Sequence, residues 1–88
     1  MGWLELFQKT LDRFKLFRRQ YPDNGMLLSI EIQLQYLVDL EAGTEKDRER
    51  LKDINLGVIA VREVEDRDEN LANQLYEVAT AAKQMLNE

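Results

Sequence analysis

Asp66, Asp68, Asn70 and Glu77 occupy the first, third, fifth and twelfth places of a calcium-binding EF-hand loop. The sixth place of such a loop needs Gly for its sharp turn, and here it is Leu71. Leu71 also opens an apolar series with Leu75 and Val78 that demands helix through the supposed loop. Capping of a helix by Asp66 or Asp68 therefore explains these carboxylates better than calcium. Glu31, Asp39 and Glu63 could supply a carboxylate pair for hydrolysis. The chain has no His and no Cys, so the commonest general base, the commonest metal ligand and the thiol nucleophile are all missing. It also lacks a Gly-rich phosphate loop and the Glu-x-x-His repeats of four-helix di-metal sites. The expectation is a protein that is not an enzyme and holds neither cofactor nor metal.

The elements that position these side chains follow from composition and spacing. The 88 residues are 44% apolar and 33% charged, with one Pro and four Gly, which describes a compact and mostly helical chain. Twelve Lys and Arg against 17 Asp and Glu leave a net charge of −5, the wrong sign for a nucleic-acid footprint. Met1 to Phe7 has no basic region of a secretory signal, and no apolar stretch approaches the roughly 20 residues that cross a bilayer. The expected setting is the cytoplasm, with no membrane or nucleic-acid partner.

Leu4, Phe7, Leu11, Phe14 and Phe17 recur at helical spacing, and Tyr21-Pro22-Asp23-Asn24-Gly25 stops them. Leu27, Ile30, Leu34 and Leu37 make the stripe of a second helix, closed by Ala42-Gly43. Thr44 is the expected N-cap of a third, with Glu45 and Asp47 in its first turn and a main stripe of Leu51, Ile54, Val58 and Val61. Gly57 inside that helix costs about 1 kcal/mol relative to Ala unless another backbone packs closely against it. Asp66 with Glu69 resembles a capping box, and Leu71, Leu75, Val78, Ala82 and Met85 carry the fourth helix. The spacing predicts helices over about 3–20, 26–41, 45–64 and 69–87. With short links these make an all-α, small antiparallel four-helix bundle, a single helical domain over 1–88.

The middle helices have apolar residues to spare. Leu28, Ile32 and Tyr36 lie roughly opposite the main stripe of the second, and Leu56, Ile59, Ala60 and Val64 lie off that of the third. Either these two helices sit at the centre of the fold, or one spare stripe is a protein-docking surface rimmed by charge. Charge is also segregated: residues 1–20 carry five basic and two acidic groups, net +3, and residues 62–69 carry five acidic and two basic, net −3. A membrane-surface role for the basic helix is set aside because its Phe and Leu residues are needed in the core. The acidic cluster would steer a basic partner surface.

Two runs carry a family resemblance: Leu27-Leu28-Ser29-x-Glu31-x-Gln33-Leu34-Gln35-Tyr36 and Leu56-Gly57-x-Ile59-Ala60-Val61-x-Glu63, with Tyr21-Pro22 before them. Over about residues 20–70 the chain resembles the small helical immunity proteins of type VI secretion effector–immunity pairs, in particular one that neutralises an NAD(P)+ glycohydrolase toxin. The resemblance implies a non-catalytic cytoplasmic antitoxin, needing no cofactor, that binds a cognate toxin domain and occludes its active site. Such a toxin must hold phosphates, so its pocket mouth should be electropositive. Glu31, Gln35 and Asp39 form a polar row beside Leu28, Ile32 and Tyr36, and Glu63 and Asp66 extend its acidic rim. These eight residues are the candidate toxin-binding surface. The competing expectation is a structural or adaptor bundle that uses the Leu28/Ile32/Tyr36 stripe for homodimerisation or for another protein partner.

Overall fold

The computed structural model describes residues 2–88, and Met1, the first residue of the expected 1–88 domain, lies outside them. In chain order come α1 (Leu4–Arg18), α2 (Gly25–Ala42), a 3₁₀ turn (Glu49–Asp53), α3 (Leu56–Glu63) and α4 (Glu69–Leu86). No strand occurs among the described residues, so the fold is the expected all-α bundle. Both α1 and α3 pack on α2 and on α4, closing a ring of four helices. The alternative of two middle helices flanked by the outer two is therefore wrong: every helix has two neighbours and an outward face.

Local chemistry sets most of the helix ends. Phe7, Leu11, Phe14 and Phe17 are buried on the inner face of α1. Trp3, at the head of α1, has no side-chain cap of its own; its backbone N–H donates instead to the Glu41 carboxylate at 3.2 Å, which ties α1 to the far end of α2. Asn24 caps α2 by accepting from the Met26 and Leu27 N–H groups at 3.0 and 3.2 Å. Gly43 ends α2 in the left-handed region at φ 87°, which a residue with a Cβ rarely adopts. Asp68, not Asp66, caps α4 by accepting from the Leu71 N–H at 3.0 Å. Leu71, in the sixth place of the calcium-loop pattern, is buried within α4.

The helix expected over 45–64 is overturned. Its first half is a strap of irregular chain and one 3₁₀ turn, and only Leu56–Glu63 is α-helical. Thr44 does not open a helix: its N–H and hydroxyl both donate to the Asp39 carbonyl, at 3.0 and 3.2 Å, and so finish α2. Glu45 then accepts from the Asp47 N–H and Asp47 from the Glu49 N–H, both at 2.9 Å. Such local side-chain bonds offer the backbone an alternative to the helix ladder. The break also resets the register. Leu56, Ile59 and Ala60 face the core with Leu51 and Val64, whereas Val58 and Val61 of the expected main stripe are 61% and 54% exposed. Gly57 does meet a close neighbour, since a Cβ there would lie 3.0 Å from the Ala79 Cβ of α4.

Candidate protein-docking site

The outward face of α2 and the strap enclose an open groove of about 330 Å3. Leu28, Ser29, Ile32, Gln33 and Tyr36 line it from α2, and Arg50, Asp53 and Ile54 line it from the strap. Leu28 and Ile32 are 43% and 48% exposed and lie together in this groove.

Tyr36 lines the groove but is nearly closed off from solvent. It is only 4% exposed, and its hydroxyl donates to the Asp47 carbonyl at 2.6 Å. The Arg50 guanidinium carbon lies 4.8 Å from the centre of its ring. Burial, then the nearby carboxylates of Asp47 and Glu45, push the phenol above its ordinary value. Tyr36 is thus the post on which the strap is fastened, because a buried ring needs a partner for its hydroxyl and the strap carbonyl is in reach.

The polar row is divided in the same way. Glu31 pairs with Arg18 of α1, with Nε 2.7 Å from its carboxylate oxygen, so the fold uses this charge. Gln35 and Asp39 stay at the surface, where the Gln35 amide donates to Asp39 at 3.0 Å. Glu63 accepts from the Asn24 side chain at 2.9 Å and so meets α2 only at its N-terminal cap. Asp66 is exposed and makes no hydrogen bond or ion pair among the described residues. Of the eight candidates, Leu28, Ile32 and Tyr36 share the groove and Gln35 and Asp39 run beside them. Glu31, Glu63 and Asp66 do not join that group.

Sequence reasoning missed the second wall. Arg50, Asp53 and Ile54 were read as parts of a continuous helix, whose register would not have set them across from α2. The groove that Arg50 lines depends on contacts distant in sequence. A second apolar patch lies where α3 meets α4, with Val58 and Leu86 exposed beside Lys52 and Lys83. No group of three or more potential metal ligands gathers among the described residues. The groove offers aliphatic surface, a guanidinium, a carboxylate and amides, which suits contact with a protein surface.

The comparisons agree with this architecture. The Tsi6 family model matches residues 3–84. The immune protein Tsi6 of Pseudomonas aeruginosa is 39% identical over 56 residues, a stretch that covers 64% of this chain and 60% of that protein. The alignment thus spans under two thirds of that relative's length. A chain in the solved structure of Tse6 in complex with Tsi6 superposes with a TM-score of 0.86 at 29% identity, covering 99% of this chain and 93% of that one. No helix among the described residues is long and apolar enough to cross a membrane. With nearly its whole length matched by one family model, this chain belongs to the Tsi6 family.

Proposed function

We propose that this chain, acting as one helical unit in the cytoplasm, is the immunity half of a type VI effector–immunity pair. It binds a cognate secreted toxin domain and occludes the active site of that domain. It catalyses nothing and holds no cofactor. The observation that carries this reading is the match of almost the whole chain to a chain from a complex of Tse6 with Tsi6. The toxin class follows the sequence resemblance, an NAD(P)+ glycohydrolase. The docking face is the outer side of α2: Leu28 and Ile32 line the groove that an apolar group of the toxin fills, and Gln35 and Asp39 form the polar rim. Glu63 and Asp66 extend the acidic surface, Glu31 braces α2 against α1, and Tyr36 positions the strap.

The test is co-expression with the toxin domain of any candidate effector encoded beside this gene. Toxin alone should arrest growth and deplete NAD(P)+, and the wild-type chain should restore both and co-purify with the toxin. Ile32→Asp should lose protection while its circular dichroism stays helical. A wild-type chain that fails to protect and purifies as a tight homodimer would replace this reading with that of an adaptor bundle.

A further inference from the structure

We propose that Arg50 is a carboxylate receptor on this face, taking an Asp or Glu side chain of the toxin domain next to the apolar group that fills the Leu28/Ile32 groove. The proposal rests on the toxin-binding reading above and names the chemistry of the partner at that site.

Four ion pairs hold the described residues together: Arg13 with Asp68, Arg18 with Glu31, Arg48 with Glu88, and Lys52 with Glu49. Arg50 belongs to none of them, although Asp53 lines the same groove. Its side-chain N–H groups make no hydrogen bond among the described residues, yet its guanidinium is held over the Tyr36 ring at 4.8 Å. The ring is itself fixed by its hydroxyl on the Asp47 carbonyl. A guanidinium that is held in place and still has its donors free loses little entropy on binding, and its planar fork matches a carboxylate in two-point geometry. The other stacked arginine, Arg67 over Tyr21 at 4.6 Å, already donates to the Glu63 carbonyl at 3.1 Å and lines no part of the groove. With this pairing the toxin is met by a cation beside the aliphatic spot and by Asp39 along the polar row.

Calorimetric titration of the purified chain with the toxin domain that it neutralises in that co-expression tests this. Arg50→Gln should weaken binding about 30-fold or more, as loss of one partner of a desolvated charge pair does. Arg50→Lys should recover part of the loss, and Arg67→Gln should change nothing. The salt dependence of affinity should shrink in Arg50→Gln while the melting of the free protein stays that of wild type. Wild-type affinity in Arg50→Gln, with binding lost in Ile32→Asp, overturns the proposal and leaves the docking face standing. Normal binding by both variants removes the docking face as well. Weaker binding with an unchanged salt dependence and a lower melting temperature would make Arg50 a structural brace only, which also overturns the proposal.

Discussion

Gln33 of α2 and Asn55 at the head of α3 engage each other with both ends of the Gln33 amide. Gln33 Nε2 donates to Asn55 Oδ1 at 2.7 Å, and Gln33 Oε1 accepts the Asn55 backbone N–H at 2.9 Å. The pair occupies the Asn55 side chain, which therefore does not cap α3. The pair thus ties the head of α3 to α2.

Gln33→Ala should cost about 1 kcal/mol, since two bonds at the surface are lost and water replaces them. Urea denaturation measures the loss. Hydrogen exchange should quicken at the first turn of α3 and leave α1 unchanged. Uniform quickening across the chain would show that the pair does not control α3 locally.

Gly57 stands against Ala79, with room for a Cβ only at 3.0 Å. Gly57→Leu should destabilise by about 1–3 kcal/mol through overpacking between α3 and α4. Gly57→Ala should come out near neutral, because a helix-propensity gain of about 1 kcal/mol offsets the tight contact. Equal stability of the Leu and Ala variants in urea would contradict the close approach.

Asp68 has two tasks: it caps α4 and accepts both 3.1 Å bonds from the Arg13 side chain. Asp68→Ala should cost about 1–2 kcal/mol, mostly through the cap. Asp68→Asn keeps the cap and loses an ion pair whose partners are partly exposed, so it should cost well under about 1 kcal/mol. If chemical denaturation finds the two variants alike, the ion pair outweighs the cap.

Tyr76 donates its hydroxyl to Glu65 at 2.6 Å. That bond first, then burial, pushes its phenol from 10.0 up to about 12. A raised value in the folded state means that the neutral phenol is favoured there. The contribution is complete below pH 10.0 and disappears as pH rises through about 12. Stability should therefore fall across that window, and Tyr76→Phe should flatten the fall without abolishing it, because Tyr36 is shifted the same way. Near-UV titration of phenolate in the folded protein checks the order in which the tyrosines ionise.

Three of the helices could be read from the chain because their signals are local. The Phe7/Leu11/Phe14 spacing, the Tyr21-to-Gly25 turn, the Gly43 stop and the Leu71/Leu75/Val78 series each act within a few residues, and the fold uses each as expected. Leu28 and Ile32 were legible as surplus apolar residues for the same reason: one stripe of α2 already fills the core.

The strap was not legible, and with it went half of the candidate site. Glu45 to Val64 has helical spacing, so its residues alone favour one long helix with Val58 and Val61 inward. Local bonds by Glu45 and Asp47 compete with that helix, and contacts from elsewhere in the chain complete the break: Tyr36 holding Asp47, Gln33 holding Asn55, and Arg48 donating to the Met85 carbonyl at 2.9 Å. These partners lie 11, 22 and 37 residues apart. Helical periodicity registers neighbours three and four residues away and is blind to such distances. Only packing of the ring brings Tyr36 under the strap and Arg50 over Tyr36, turning a surplus stripe into a groove with two walls.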